Sequence, residues 1–383
     1  MSTNTVARAL DQNCFACLEV TKGTAVYPTA AAERVVTAGV AELNQQATFT
    51  DSEEINNTLD LLERFQDQLG AGTFTAPMYI RPSGTAGTAP MGGVLLQSLM
   101  GLETIVGGTS VTYEQATIKP SFTLWVKKAH TVFFGSGACC ESGKLNFTNK
   151  GGSMFDMSGG FMRMGWAGTD TLASAATTTA VTVENSKLFT ADAYVSFNTG
   201  VSVDDNTGAG YKIASVDYDT DILTMADTIT ADSGVSIQGF LPAFTAVGSP
   251  LENKNLTITF DAVAQNLKSL TVDLNSPVQW QVDEITTSGF VTEYIEDRRA
   301  IALTLDVLFR EQDLGYFYDA TQNTKVAVVA TNNDVAGEIC TINLPYTELE
   351  VPSTTTSSPT VSLTIAGTGL GSAGEDSASI VFT

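Results

Sequence analysis

The sequence predicts a mainly β protein, and three features favour this fold class. Several segments alternate apolar and polar residues, which places one face of a strand in a core and the other against solvent or a neighbour. Gly and Pro interrupt these segments at short intervals, as an antiparallel all-β fold requires. Charged residues make up only 16% of the chain, below the ~25% of an ordinary soluble domain.

The alternation is clearest in three segments, at 122–126, 256–260 and 301–309. In each of them, large apolar side chains occupy every second position and Thr, Ala or Asp fills many of the others. A period of two residues is the period of a β-strand, so each segment predicts a strand with one buried face.

Two further segments predict helices. Residues 53–69 place five apolar side chains on one helical face, with Asp51 or Ser52 as a candidate N-cap. Residues 92–100 form a shorter apolar segment that Gly101 can end. The side chains that share the face of the first segment are Ile55, Leu59, Leu62, Phe65 and Leu69.

A composition change divides the chain into three parts. Residues 169–242 begin with a linker-like run of Ala, Ser and Thr and continue as five or six short strands with polar turns. About seventy residues of this kind predict a small β-barrel or sandwich. Strand patterning resumes after it, so it interrupts one domain whose two parts are residues 1–168 and 243–383.

The overall charge excludes a tight nucleic-acid binder. The chain has 383 residues and a net charge of −23, from 42 acidic and 19 basic residues. Tight phosphate binding requires clustered Lys and Arg. An acidic surface repels phosphates, and this remains compatible with nucleic acid that slides past it.

The five cysteines predict buried free thiols and no metal site. A C-x-x-C pair needs a second ligand pair to hold zinc, and the side chains of adjacent cysteines point to opposite faces of a strand. The N-terminus has no pattern of a signal peptide and no apolar run reaches ~18 residues. We therefore expect synthesis in a reducing cytoplasm and no membrane insertion. The cysteines are Cys14, Cys17, Cys139, Cys140 and Cys340.

No motif for catalysis or cofactor binding has its required context. His130 is the only histidine, and no nucleophile elbow accompanies it. The G-x-G-x-x-G match at 369–374 is followed by no helix pattern and no acidic residue ~20 positions later, so it predicts a hairpin loop. We expect a protein that is not an enzyme and has no catalytic, cofactor or metal residues.

One acidic segment leaves two interpretations open. Asp217, Asp219 and Asp221 match the beginning of an EF-hand loop, but Ile222 stands where Gly is required and Thr228 where Glu is required. The segment predicts an acidic hairpin turn. A weak calcium site is the alternative, because carboxylate clusters in β-loops bind hard cations.

A charged segment before the strand at 301–309 is the candidate interface between subunits. Arg pairs well with carboxylates across interfaces, whereas a solvated charged turn is the common alternative. The residues of this patch are Glu293, Glu296, Asp297, Arg298 and Arg299.

Five stretches, in this order, resemble the tail tube (major tail) proteins of long-tailed, siphophage-type bacteriophages. Residues 18–29 (LEVTKGTAVYPT) are similar to the GTA-x-x-P opening of that family, and 49–55 (FTDSEEI) follow. Residues 94–101 (VLLQSLMG) resemble its short helix ending in Gly, and 137–147 one of its strands. Residues 293–299 (EYIEDRR) resemble its last recurring feature, which leads into a long strand.

The resemblance implies a β-sandwich or half-barrel with one short packed helix, and extended structure or a loop between rings at about 53–69. It implies that six copies join sheets into a ring around a continuous inner β-barrel. Stacked rings form the tube that conducts DNA during ejection, within the virion tail. The implied partners are further copies of the chain, the tape measure, tail terminator and distal tail (baseplate) proteins, and DNA in transient passage. The insertion would decorate the outer surface, and its removal would leave assembly intact.

Two other functions remain open on the sequence. One is another virion or surface β-structural protein, such as an adhesin with an inserted binding module. The other is a carbohydrate-active enzyme, because 42 acidic residues offer many carboxylate pairs. Self-assembly, glycan binding and glycan turnover separate these three hypotheses.

Overall fold

The fold is mainly β, as the sequence predicts. The computed structural model shows antiparallel strand pairs throughout and two α-helices within the described residues. The described residues are 12–54, 60–148, 150–198, 210–282, 289–333, 335–357 and 359–383. Within them, no helix has both the length and the apolar character that crossing a membrane requires.

The first part of the chain supplies strands β1 to β12 and helix α1. In chain order these are β1 Gln12–Leu18, β2 Arg34–Val35, β3 Glu42–Asn44, β4 Phe49–Asp51, β5 Arg64–Gln66, β6 Gly72–Tyr79, α1 Gly93–Met100, β7 Gly101–Val106, β8 Ser110–Gln115, β9 Phe122–Lys128, β10 Thr131–Thr148, β11 Met154–Phe161 and β12 Arg163–Ala167.

The middle part supplies six short strands, and the last part supplies the remaining strands and helix α2. The middle strands are β13 Thr169–Thr171, β14 Ala180–Thr182, β15 Tyr194–Phe197, β16 Tyr211–Asp217, β17 Ile222–Met225 and β18 Ser236–Gly239. The last elements are β19 Leu256–Phe260, β20 Val263–Gln265, β21 Leu267–Asn275, β22 Val278–Trp280, β23 Tyr294–Glu296, β24 Ala300–Leu308, α2 Gly315–Gln322, β25 Lys325–Asn332, β26 Cys340–Leu349, β27 Ser353–Ser357, β28 Thr360–Leu370 and β29 Ser379–Phe382.

The first and last parts form one barrel-like sheet system around the largest apolar core. Its main run of hydrogen-bonded neighbours is β3-β6-β11-β10-β21-β24-β28-β26-β25-β19-β20. A second run, β2-β1-β9-β10-β12, shares strand β10 with the first. A third, β29-β8-β7, branches from β26. The two separate parts of the sequence therefore fold as one unit.

Strand β10 belongs to both the main run and the second run because it bends in the middle. Its first half pairs with β9 and β12, and its second half pairs with β11 and β21. The register with β9 shifts between Gly135 and Ala138, and Gly137 has φ +65° there. A Cβ at Gly137 would lie 2.4 Å from the sulfur of Met162. The backbone angle and the close contact both require glycine at this bend.

The three predicted strands and the shorter predicted helix are confirmed. The strands are β9, β19 and β24, and in β24 every second side chain, from Ile301 to Val307, is buried. Helix α1 spans Gly93–Met100 and ends at Gly101, whose φ of +108° few other residues adopt. Its leucines lie in the main core.

The predicted helix at 53–69 is wrong. Strands β4 and β5 form a two-stranded hairpin there, and residues 55–59 lie outside the described residues. Of the five apolar side chains with helical spacing, Leu62 and Phe65 are each more than half exposed and Leu69 is only partly buried, so the described ones form no buried helical face. Short helices depend on packing of an apolar face for stability, and this segment has no such packing within its described part.

The expectation of one packed helix is also incomplete. Helix α2 has no fully buried side chain among those described, although Tyr316 and Phe317 pack against the main core. Its sequence, GYFYDATQ, shows too few apolar residues at helical spacing to predict it.

The middle part forms a separate six-stranded barrel. The strand order is β13-β18-β15-β16-β17-β14. Two hydrogen bonds close it between its first and last strands, from Ala173 N to Thr182 O at 3.0 Å and from Glu184 N to Thr171 O at 3.1 Å. The strands come only from residues 169–239. We call this unit the second barrel.

The second barrel shares its core with the main sheet. Its buried side chains, such as Val195 and Ile237, belong to one apolar cluster with Phe15, Trp125 and Phe134 of strands β1, β9 and β10. The ring of Tyr194 stacks on Tyr27 of the first part at 3.8 Å. The second barrel is thus packed directly onto one face of the main sheet.

Candidate assembly surface

Four of the five stretches that resemble tail tube proteins meet at one place in the fold. The carboxylate of Glu19, in the first stretch, accepts four hydrogen bonds, each of 2.8 Å. The donors are Gly23 N, Ser121 Oγ, Thr123 Oγ1 and Gly137 N, the last from the fourth stretch. One side chain therefore ties the opening loop to strand β9 and to the bend of β10.

The other stretches join the same cluster. Ser98 of helix α1 accepts a hydrogen bond from Cys140 N at 3.1 Å, which links the third stretch to the fourth. Lys22 pairs with Glu293, and its ammonium lies 3.9 Å from the centroid of the Tyr294 ring, which links the first stretch to the last. We call these four joined stretches the motif cluster.

Lys119 binds the last stretch to the motif cluster, although no sequence pattern predicts this role. This lysine is 2% exposed, and its ammonium donates to the carbonyls of Cys140 and Ser276. Its backbone N–H donates to Glu296, and its carbonyl accepts from the Tyr294 hydroxyl at 3.1 Å. A buried lysine in a loop has no local sequence signal, because its partners are far along the chain.

The predicted charged patch is only partly free for a partner chain. Hydrogen bonding to Lys22 holds the pKa of the Glu293 carboxyl below its usual range. Glu296 binds the Lys119 backbone, and Arg299 donates to the Ala116 carbonyl, where burial lowers the pKa of the guanidinium. Asp297 and Arg298 are exposed. The role of the five residues in an interface stays a prediction.

Strand β7 is an exposed apolar edge of the main sheet. It pairs with β8 on one side and with no described strand on the other. Leu102, Ile105 and Val106 are each about half exposed, and Glu103 is bound by the Tyr113 hydroxyl at 2.6 Å. An unpaired strand edge with exposed apolar side chains offers backbone groups to a strand of another chain.

The β4–β5 hairpin is a second exposed element. We call residues 48–54 and 60–67 the arm. Its strands bond to each other through pairs such as Ser52 N to Glu63 O at 3.0 Å, and all six residues of β4 and β5 are exposed. A two-stranded hairpin alone is marginally stable in water, so the arm is suited to packing against another surface.

The acidic segment at 217–221 forms a hairpin turn between β16 and β17. Hydrogen bonds from the Thr220 side chain and the Asp219 backbone lower the pKa of the Asp217 carboxyl. Hydrogen bonds from the backbone N–H and the hydroxyl of Ser186 lower the pKa of the Asp221 carboxyl. The described residues contain no group of three His, Cys, Asp or Glu side chains placed to hold a metal ion. The segment therefore forms the acidic hairpin turn that the sequence predicts.

The enzyme-like motifs lie in loops. His130 is exposed in the turn between β9 and β10. The glycine-rich segment 369–374 runs from the end of β28 into the loop before β29. Those two strands do not pair with each other as in the predicted hairpin, because both lie beside β26.

The cysteines are buried free thiols, as predicted. Cys14 and Cys140 lie in the main apolar core. Cys17 lies in the core shared with the second barrel, and Cys139 lies in a small third cluster. Burial raises the pKa of every one of the five thiols, to about 12 for Cys14 and Cys340.

We expect the native thiols to resist alkylation. At pH 8 the folded chain should take up no iodoacetamide within minutes, because the thiolate is the reactive form and the thiols stay protonated and enclosed. In denaturant all five should react, and intact-mass spectrometry counts the added groups. Rapid labelling of any cysteine in the native chain would contradict the described packing.

Comparison of the sequence with models of known protein families gives no match, and comparison with curated proteins gives none either.

Proposed function

We propose that this chain is the structural subunit of a long-tailed bacteriophage tail tube, without enzymatic activity. Copies would join into rings, hexameric as the resemblance implies, and the rings would stack into a tube within the virion tail. The observation that carries the proposal is the motif cluster: four stretches that are far apart in sequence and share the resemblance bind one another in space. Chance matches have no reason to converge in this way.

The edge strand β7 supports ring formation. A ring of identical subunits needs two different complementary surfaces on each copy. Strand β7 presents one unpaired edge, and strands β3 and β20 end the main run of the sheet elsewhere. Pairing of β7 with another edge of the next copy would bury Leu102, Ile105 and Val106.

The outer face of the main sheet supports the conduction of DNA. On β11, β10 and β21 the cross-strand row Asp156, Lys144, Asp273 faces away from the core, and Asp306 of β24 lies on the same face. The polar side chains of Ser142, Asn146 and Thr271 lie on the same face. Three carboxylates and one ammonium give these four side chains a net negative charge, which repels phosphate. DNA would therefore slide past this face without binding to it.

The arm supports stacking. The resemblance implies extended structure between rings at this position, and the described part of the segment is extended. Its exposed apolar side chains require a partner surface, and another ring would provide it.

Negative-stain microscopy of the purified chain tests the proposal. Rings or tubes of uniform bore are the expected result at high protein concentration. A chain that remains strictly monomeric would count against self-assembly. Binding or turnover of glycans without assembly would favour the adhesin or the enzyme instead.

Replacing the apolar side chains of the arm should block assembly without unfolding the chain. The variant Leu61→Ser/Leu62→Ser/Phe65→Ser should keep the melting temperature of the wild type, because these side chains are exposed. If assembly buries about half of each, the loss is roughly 1 kcal/mol per residue. The critical concentration for polymerisation, measured by light scattering, should then rise about 100-fold.

A matched control removes exposed apolar side chains elsewhere. Leu314→Ser/Tyr318→Ser changes the residue before helix α2 and one residue within it, which are 55% and 66% exposed. This variant should polymerise as the wild type does. Equal effects of both variants would show that general surface hydrophobicity, and not the arm, drives association.

A further inference from the structure

A lysine-rimmed groove lies at one end of the main sheet. One cavity of about 250 Å³ lies between the paired ends of β10 and β21 on one side and β19 and β20 on the other, with Leu256, Leu267 and Phe147 among its walls. A second cavity of about 670 Å³ adjoins it, and Lys254 lines both. We call the two together the groove.

The rim of the groove is basic in a chain that is otherwise strongly acidic. Lys150, Lys254 and Lys268 line it, and Glu252, which pairs with Lys254, is the one acidic residue among its lining residues. The whole chain carries 42 acidic and 19 basic residues. Three lysines around the partly exposed side chains of Leu256 and Leu267 therefore favour an acidic partner that also carries apolar side chains.

The arm has this chemistry. Phe49, Leu61, Leu62 and Phe65 are each about half exposed or more. Arg64 is its only basic residue, and it is bound to Asp51 at 2.8 Å. The acidic residues of the arm are Asp51, Glu53, Glu54, Asp60, Glu63 and Asp67.

The arm and the groove lie at opposite ends of the same strands. The arm leads into β6 at Gly72, which pairs with Phe161 at the far end of β11. The groove contains Tyr79, the last residue of β6, which pairs with Met154 at the near end of β11. Seven residues of strand separate the two ends by roughly 23 Å.

We propose that the arm of one copy docks into the groove of a second copy in the next ring. Two complementary surfaces at opposite ends of one strand make a head-to-tail contact, which repeats without closing on itself. The apolar side chains of the arm would cover Leu256 and Leu267, and its carboxylates would face Lys150, Lys254 and Lys268. This inference rests on the proposed self-assembly and names the surface that receives the arm.

Charge reversal of the groove tests this contact. The variant Lys150→Glu/Lys254→Glu/Lys268→Glu should raise the critical concentration for polymerisation about tenfold or more. Wild-type polymerisation should weaken as salt rises from about 0.05 M to about 0.5 M, because rim charges are screened. The control variant reverses three lysines outside the groove and should retain polymerisation: Lys127→Glu/Lys128→Glu/Lys187→Glu.

Reversal of the arm should restore assembly of the groove variant. Adding Glu53→Lys/Glu63→Lys to it leaves four acidic and three basic residues in the arm instead of six and one, so its net charge falls from −5 to −1. Two lysines of the arm then face the reversed groove, and polymerisation should return in part. If the groove variant forms tubes as readily as the wild type, or if the arm reversal gives no rescue, the assignment of the groove is wrong while self-assembly stands. A wild-type chain that never assembles would overturn the proposed function itself.

Discussion

Deletion of the second barrel should leave the rest of the chain insoluble. Replacing residues 169–242 by a short Gly/Ser bridge imposes little strain, because Gly239 N already donates to Gly168 O at 2.8 Å. The deletion uncovers Phe15, Trp125 and Phe134, which are at most 1% exposed. A domain that packs against nothing else could be deleted without affecting the solubility of the rest of the chain. The second barrel covers part of the core of the main sheet, so its deletion exposes that core.

The apolar area that the deletion exposes is large enough to make the rest of the chain insoluble. Phe15 and Phe134 are the direct cross-strand neighbours of Trp125, and the rings of Trp125 and Phe134 stack at 4.6 Å. Three aromatic side chains bury ~150–250 Å² each. Their joint exposure, on the order of 500 Å², reaches the largest apolar patch of a typical soluble monomer.

A second deletion variant tests whether the exposed patch is the cause. Phe15→Thr/Trp125→Thr/Phe134→Thr in the deletion background keeps strand propensity and removes the patch. Its soluble fraction after expression should exceed that of the plain deletion. A plain deletion that is soluble and polymerises would show that the second barrel is dispensable, as its position between two halves of a domain first indicated.

The sequence predicted the secondary-structure elements of this fold better than the surfaces against which those elements pack. The period of two in 256–260 and 301–309 arises within a few residues, and both segments are strands. The helical spacing at 53–69 failed because spacing shows which side chains share a face, not whether a core lies against it. Leu62 and Phe65 of that face are exposed in the arm, and no local pattern records this.

In the motif cluster, too, local sequence patterns were predictable and long-range contacts were not. The five stretches could be selected along the sequence, but the convergence of four of them depends on contacts across large separations. Glu19 and Gly137 are 118 positions apart, and Lys119 and Ser276 are 157 apart. The shared core between Trp125 and the second barrel also depends on such contacts. Hence the sequence predicted an insertion but not its packing.

Loss of the Glu19 carboxylate should be the most damaging single change in the motif cluster. In Glu19→Ala the N–H groups of Gly23 and Gly137 and the hydroxyls of Ser121 and Thr123 lose their acceptor. Each donor left unsatisfied in a partly buried site costs ~1–3 kcal/mol. Because water still reaches some donors, we expect a total of about 3–5 kcal/mol, measured as a fall in Tm of roughly 4–6 °C.

Glu33→Ala is the matched control because its carboxylate also binds two backbone N–H groups, at 2.6 Å from Thr29 and 2.7 Å from Ala30, but at an exposed site. Water replaces those bonds, so the cost should stay below about 1 kcal/mol. Glu19→Gln, which keeps one acceptor oxygen, should fall between the two. If Glu19→Ala and Glu33→Ala have the same melting temperature, the motif cluster does not stabilise the fold. The convergence of its stretches would then no longer support a tail tube fold.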